Sequence, residues 1–567
     1  MSTAGGPKAG NALHHDPGSD AWVVIPARGG SVGVPRKNVR LIAGRPLIVH
    51  AIQTAQSAVA ADRVIVITDD REIEAIARSA GAVVIYEDQP TPPGETLDTK
   101  IIRNLPLLRR MGARDTDPIL TVQPTSPLLP ASAIVRASEV LSRGESRSAM
   151  TVTDDRHLRW GRDEHGENVP LYAARVNRQQ LPAELRETGG VIGARLADIE
   201  AHQTRVIAPI TLIELSAEEA IDIDSFSDLY AAAHLMTRLR IVVRTDAAPE
   251  LGMGHVYRSM AVATELARHD LRLYTSRHKP LGRRFFDRLP FENREVDGDD
   301  EFVAELAAFR PDLVIFDVLD TSAELIDAIR ERVPGVRVLT FEDLGTGAAR
   351  ADLVVAEFIP VHEGARRALT GIDNAILAPG FDYVRAPNPL RDAVEHVLVL
   401  FGGTDPSRLG ERALDALARI GFTGDVTAVR GLGAAPLPEV DRPFRLEVLT
   451  DVRHMPSVIG RADLAFTSAG RTVIELATLG VPSIGMAQNE KELTHTHATA
   501  ANGVLMLGLG SQTEPAVLDD AVRRMVEDSA LRRELRESAL RAVAGRSNHR
   551  TLGRIFDLLG LDPFPNL

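Results

Sequence analysis

Cysteine is absent from the 567 residues. Disulfides, thiolate nucleophiles and cysteine-bound zinc are therefore excluded together, and any metal must be held by oxygen or imidazole. Aromatic residues make up only 4% of the chain, which leaves few platforms for stacking the bases of single-stranded nucleic acid. A basic excess is lacking as well. The formal net charge of −13 argues against nucleic acid or an anionic membrane surface as a partner. No window approaches the roughly 18 continuous apolar residues of a transmembrane helix. The opening MSTAGGPKAGNALHHDPGS has no apolar core of the length a secretory signal needs. These absences predict a cytoplasmic chain with a disordered tail over residues 1–19 and neither a nucleic-acid nor a membrane partner.

What remains is a globular composition, 44% hydrophobic and 25% charged, in a chain too long for one core. Short apolar runs (AWVVIPA, RVIVITD, AVVIYE, PILTVQP) alternate with helical patterns such as PLIVHAIQTAQSA and REIEAIARSAG. That rhythm predicts α/β architecture with mostly parallel sheets. It restarts at RIVVRTDAAPELGMGHVYRS and again at EHVLVLFGGTDPS, with the polar, proline-containing APNPLRDAVE before the second restart. The expected division is a first domain over 20–238 and two structurally similar lobes over 239–388 and 389–567, with the helix after AIDIDSFSDL ending near Arg240.

In the first domain, VVIPARGGSVGVPRKN reads as a buried strand delivering a flexible basic loop. Glycines let backbone N–H groups approach a phosphate, and Arg28, Lys37 and Asn38 are placed beside it. LTVQPTSPLL sets Gln123, Thr125 and Ser126 directly after a strand, where open α/β sheets put ligand-binding groups. AIDIDSFSDL puts Asp222 and Asp224 two apart in an extended segment, so that both carboxylates project to one face. Such a pair beside phosphates suits Mg²⁺.

These segments, with RQQLPAELRETGGVIG, stand in the order and spacing of the CMP-sialic acid synthetase family, and residues 21–235 resemble those nonulosonic acid cytidylyltransferases. The resemblance implies a Rossmann-like nucleotidyltransferase domain in which Arg28, Gly29, Gly30, Ser31, Lys37 and Asn38 hold CTP. It implies that Gln123, Thr125, Ser126, Arg178 and Gln179 lie near the sugar acid, and that Asp222 and Asp224 hold Mg²⁺. The implied reaction is attack of the acid's anomeric hydroxyl on the α-phosphate of CTP, with release of pyrophosphate. Val32 stands where the family usually has lysine, and Arg36 is the candidate replacement cation. Pseudaminic, legionaminic, sialic and 3-deoxy-octulosonic acids all remain open as substrates.

In the second half, Gly252, Gly254 and His255 sit in a loop before a helix. The helix dipole favours a neutral imidazole there, as a general base needs. TSAGRT opens another helix, where free N–H groups and Arg471 could receive a diphosphate, and Glu475 one turn on could accept from ribose hydroxyls. With FEDLG and FGGTDPS, these pieces resemble two-lobed enzymes of the glycosyltransferase type B fold. More narrowly, they are similar to the UDP-sugar hydrolase of pseudaminic acid biosynthesis and to related spore-coat polysaccharide proteins. The resemblance implies that His255 activates water against the anomeric carbon of a UDP-linked amino-deoxy sugar. UDP then leaves into the Ser468–Glu475 region, and Gly252, Gly254, Arg258, Thr404, Asp405, Ser468, Arg471, Thr472 and Glu475 line the UDP-sugar site. That family commonly carries Asp-His-Tyr where this chain has Asp317, Val318 and Leu319. The expectation is a bifunctional enzyme using CTP, a nonulosonic acid and a UDP-sugar, with a homodimer through the first domain and a separate phosphoenolpyruvate-dependent synthase as functional partner. The alternatives are a glycosyltransferase in the second half, or one half that binds without catalysis.

Overall fold

The computed structural model describes residues 20–562 apart from 31–32, 90–91, 93, 247–252, 280–285, 287–289, 384–389, 432–433, 439, 451 and 453. The expected tail and Ser31, Val32 and Gly252 lie outside the described residues. The chain divides between Thr237 and Arg238 into two compact units. Among the described residues, no helix is long and apolar enough to cross a membrane.

The apolar runs become central strands because both of their faces are covered. Along Trp22–Pro26, Val23 and Ile25 pack with Ile48, Ile52 and Ile73 on one side. Trp22 and Val24 face Ile101, Leu105 and Ile199 on the other. A strand buried on both faces loses polar alternation and reads as a continuous hydrophobic run. The first sheet runs Ile210–Glu214, Ser148–Asp154, Leu185–Arg195, Pro118–Val122, Trp22–Pro26, Val64–Thr68, Val83–Tyr86. All neighbours are parallel except at Leu185–Arg195, which is antiparallel to both of its own.

The second unit holds two fully parallel sheets. The first orders Glu292–Val296, Asp270–Ser276, Arg240–Thr245, Leu313–Asp317, Arg337–Phe341, Leu353–Ala356 and Ala368–Thr370. The other orders Arg445–Thr450, Asp425–Arg430, His396–Leu400, Leu464–Thr467, Ser483–Ala487 and Val504–Leu509. The α/β class with mostly parallel sheets is as expected.

Three details differ from the sequence reading. The helix after AIDIDSFSDL is Phe226–Met236, stopped by Thr237, and Arg240 already begins the next strand. Residues 221–224 are irregular rather than a strand. The last helix, Asn548–Leu559, was expected in the later lobe. It packs Leu552, Ile555, Phe556 and Leu559 into the core of the earlier one, beside Ile241, Val243 and Ile315. Its apolar stripe has a matching face there, and a stripe of that kind must be buried somewhere.

In each of the three sheets the earliest strand is flanked on both sides by later ones. Trp22–Pro26 lies between Val64–Thr68 and Pro118–Val122. Arg240–Thr245 lies between Asp270–Ser276 and Leu313–Asp317, and His396–Leu400 between Asp425–Arg430 and Leu464–Thr467. Strand order reverses at these points, and the crevice outside the carboxyl ends of such strands is where open α/β sheets bind ligands.

Candidate functional site

In the first unit, three segments distant in sequence meet at the reversal point. The Gly29 N–H donates to Asp69 Oδ1 at 2.9 Å, and a Cβ on Gly29 would stand 2.4 Å from Asp70 Oδ2. Gly33 lies so close to the acidic segment that a Cβ there would be 2.2 Å from the Asp224 carbonyl oxygen. Asn38, buried, donates through Nδ2 to the Arg28 carbonyl at 3.0 Å and so fixes the loop's curvature. Lys37 Nζ donates to the Ile223 carbonyl and lies 3.2 Å from Asp224 Oδ1. The Ile223 N–H in turn donates to the Thr125 carbonyl at 2.8 Å. Backbone bonds at one residue thus tie the glycine loop, the 123–126 turn and the 222–224 segment together.

The polar atoms around that junction have few protein partners. Thr125 Oγ1, Ser126 Oγ and Asp222 Oδ1 are buried with no hydrogen-bond partner among the described residues. Buried polar atoms are normally paired, and such orphans indicate groups that await a ligand or water. Asp222 is half-buried and Asp224 is 79% exposed in its side chain. The pair is therefore presented unequally rather than from a regular strand face. Gly30 has open space about it and Arg28 is exposed.

One expectation in this unit needs correction. Arg36 is not free to replace a lysine at position 32, because its guanidinium pairs with Asp70 and Glu72. Those hydrogen bonds raise its already high pKa. Arg178 and Gln179 are exposed on the segment that follows the hairpin Trp160–Arg162 and Asn168–Pro170. Arg178 bonds the Asp154 carbonyl at 3.4 Å, not the 123–126 turn.

In the second unit, His255 is the second residue of the helix Gly254–Glu265, and its Nδ1 lies 2.7 Å from Asp317 Oδ1 at the end of Leu313–Asp317. An Asp–His pair of this kind fixes the tautomer with the proton on Nδ1 and leaves Nε2 as the basic atom. Arg258, one turn along the same helix, was expected to contact the UDP-sugar. It is 1% exposed and bonds both Asp317 oxygens, at 2.6 and 2.9 Å, with Glu342 and Glu357 each at 3.3 Å. A buried guanidinium among three buried carboxylates is fully committed. Burial opposes ionisation of Asp317, but the charge and hydrogen bonds of Arg258 outweigh it and hold the carboxyl well below its usual range. Glu342 goes the other way. Burial dominates and pushes it up to about 7, and its Oε2 has no partner among the described residues.

Arg471, expected to receive a diphosphate, instead pairs with the buried Glu357 and donates to the Ile376 carbonyl. Asp405 is likewise engaged. Its oxygens accept from the N–H groups of Leu409 and Gly410, both at 2.9 Å, and from Gln488 at 2.6 Å, so it caps the helix Leu409–Arg419. The loops carrying these residues do meet. A Cβ on Gly403 would lie 2.5 Å from Met253 Cγ, and one on Gly254 3.6 Å from Arg471 Cδ. Thr404 is half-buried in its loop, Thr472 is half-buried as the first residue of the helix Thr472–Leu479, and Ser468 is buried. Glu475 sits in the first turn of Thr472–Leu479, where burial raises its pKa and Arg471 partly offsets the rise.

Sequence reasoning missed Glu342, Glu357 and Glu492, and it did not assign Asp317 its contact with His255. The available signal was position, since Asp317 ends its strand and Glu342 follows the next one.

Parts of the chain are similar to known proteins. A family description for cytidylyltransferases matches residues 22–159. The chain is similar to a CMP-N,N'-diacetyllegionaminic acid synthase of Legionella pneumophila, at 38% identity over 21% of this chain and 51% of the relative. It is also similar to the spore coat polysaccharide biosynthesis protein SpsG of Bacillus subtilis, at 25% identity over 48% of this chain and 84% of that protein. Apart from SpsG, the chain spans about half the length of the curated relatives it matches. Among solved structures, MurG of Acinetobacter baumannii covers 57% of the chain and 99% of its own, at 18% identity and a TM-score of 0.39. Residues 22–159 thus match a cytidylyltransferase description, and the second unit that follows is built on two parallel α/β sheets.

Proposed function

We propose that the first unit joins CTP to a nonulosonic acid and releases pyrophosphate. The supporting observation is the convergence on Ile223, where Lys37, the 123–126 turn and the Asp222–Asp224 segment are held within hydrogen-bond reach of one another. The acid's anomeric oxygen bonds to the α-phosphorus of CTP, and the bond to the bridging oxygen breaks with its electrons leaving on pyrophosphate. A site for that chemistry needs positioned cations and donors and no covalent nucleophile. Lys37 supplies a cation, the Gly29–Gly30 loop gives backbone access, and Thr125 and Ser126, beside Gln123, offer unsatisfied hydroxyls to the acid.

Asp222 and Asp224 fit a magnesium ion, since Asp222 Oδ1 is buried without a protein partner. Among the described residues no group of three or more acidic or histidine ligands converges. A site built from two carboxylates, with phosphates and water completing the shell, is the usual arrangement for this ion. When bound, the ion would neutralise charge on the phosphates. Asp224→Asn is expected to cut CTP-dependent pyrophosphate release by at least about tenfold and to leave the second unit's activity intact. Unchanged Mg²⁺ dependence in that variant would remove the aspartate from the site. The decisive experiment for the reading itself is a pyrophosphate-release screen with CTP against pseudaminic, legionaminic, sialic and 3-deoxy-octulosonic acids. Silence with every acid would sink it.

For the second unit the proposal is hydrolysis of a UDP-linked amino-deoxy sugar. The His255–Asp317 pair supports it, because Nε2 is left free to take a proton from water as the water oxygen bonds to the anomeric carbon and UDP departs. A glycosyltransferase would place an acceptor hydroxyl where the water stands. UDP release from a UDP-sugar without acceptor supports hydrolysis, and strict dependence on an acceptor rejects it. A homodimer through the first unit fits the exposed Trp160, Leu171 and Leu185 beside its small hairpin. Because a UDP-sugar and a nonulosonic acid differ by a carbon-chain extension, a separate phosphoenolpyruvate-dependent synthase is the expected functional partner.

A further inference from the structure

The turn between Leu464–Thr467 and Thr472–Leu479 is held open from one side by two histidines. His495 Nδ1 lies 2.7 Å from the Ala469 carbonyl and His497 Nε2 2.9 Å from the Gly470 carbonyl. A carbonyl can only accept, so each of those nitrogens carries its proton. Burial lowers the pKa of both rings, that of His497 to about 4, which keeps them uncharged. Phe358 packs against both, at 4.8 Å from each ring. In trans peptides, carbonyls pinned on one side leave the following N–H groups directed to the other. This is the geometry of an anion seat.

A carboxylate lies beside that turn and takes the N–H of its Ala469. Glu492 Oε2 accepts from the Ala469 N–H at 3.3 Å and the Gln488 N–H at 2.8 Å. Its Oε1 stands 3.9 Å from the place a Cβ on Gly470 would take. Among the described residues no ion pair joins Glu492 to an arginine or lysine, and nearby Arg471 is committed to Glu357. Burial foremost, and repulsion from Asp405 with it, raise the pKa of Glu492, and the N–H groups of Gln488 and Ala469 oppose that rise by favouring the carboxylate.

We propose that Glu492 is a tethered anion that competes with the diphosphate of UDP for the 468–471 turn, and that it thereby sets the affinity for UDP and speeds its departure. The inference rests on the UDP-sugar reading of the second unit. Glutamine at 492 keeps the shape and an acceptor oxygen for the two N–H groups but removes the competing charge. A hydrogen bond to a charged group is worth roughly 1.5–3 kcal/mol, or about 10- to 150-fold, so displacement of the carboxylate should cost affinity on that scale.

The test is calorimetric titration of the full chain with UDP and with uridine, for the wild type, Glu492→Gln and the exposed control Glu490→Gln. Glu492→Gln is expected to bind UDP about 10- to 100-fold more tightly, with a slower dissociation rate, while uridine binding stays the same. Glu490→Gln should match the wild type. If uridine binds but UDP is no tighter to Glu492→Gln, Glu492 is only a strut between two loops and the proposal falls alone. Binding of neither ligand to any of the proteins would overturn the UDP reading and the proposal with it.

Discussion

At the scale of single residues, Val32 stands where the resemblance to the sialic acid synthetases implies a lysine. Arg36 is spent on Asp70 and Glu72. Arg36→Ala should therefore leave the apparent KM for CTP within about twofold of wild type, whereas Val32→Lys should lower it or raise turnover by about 10- to 150-fold. Steady-state pyrophosphate assays on both variants check this, and a large loss in Arg36→Ala would return Arg36 to the phosphate site. In the second unit, His255→Ala should reduce UDP release by about 10²–10⁴. UDP binding should persist, because in the proposed reaction the base acts on water and not on the nucleotide. Titration with UDP alongside a UDP-release assay separates the two effects, and full hydrolysis by the variant would make His255 structural.

At the scale of elements, the ends of three strands build one buried charge network. The strands ending at Asp317, Phe341 and Ala356 bring Asp317, Glu342 and Glu357 around Arg258, with Arg471 on Glu357. Three carboxylates share two guanidiniums, and burial leaves Glu342 as the one that keeps a proton to about pH 7. A carboxyl whose pKa is raised on folding gives stability that is present below its unfolded value and lost as pH climbs through the folded one. Wild-type stability should thus fall between about pH 4.5 and 7 from this group. Glu342→Gln should remove that slope and gain on the wild type by roughly 1–3 kcal/mol at pH 8. Denaturant melts at pH 5 and pH 8 measure the difference. Parallel curves for the two proteins would show that Glu342 is ionised throughout.

At the scale of the whole molecule, each unit closes its own hydrophobic cores, with residues up to 232 in the first unit's clusters and residues from 241 onward in those of the second. Separately expressed residues 1–237 and 238–567 should therefore each fold. The first should release pyrophosphate from CTP with the right acid, and the second UDP from the right sugar. Two folded halves with one inactive would identify a binding module. Much of this layout is legible in the sequence, because a strand buried on both faces writes itself as an apolar run and a glycine loop follows it locally. The runs at 22–26, 241–243 and 397–401 and the loops after them need no tertiary information. What the sequence could not determine is which way the long charged side chains turn. Arg258 reads as a cleft arginine until carboxylates 59, 84 and 99 residues away surround it, and Arg471 until Glu357, 114 residues away, claims it. Local pattern decides where a backbone runs because its hydrogen bonds and burial period are short-ranged. The partner of a buried charge is chosen by whatever opposite charge the fold carries to within a few ångströms, and that choice is made only when the sheets assemble.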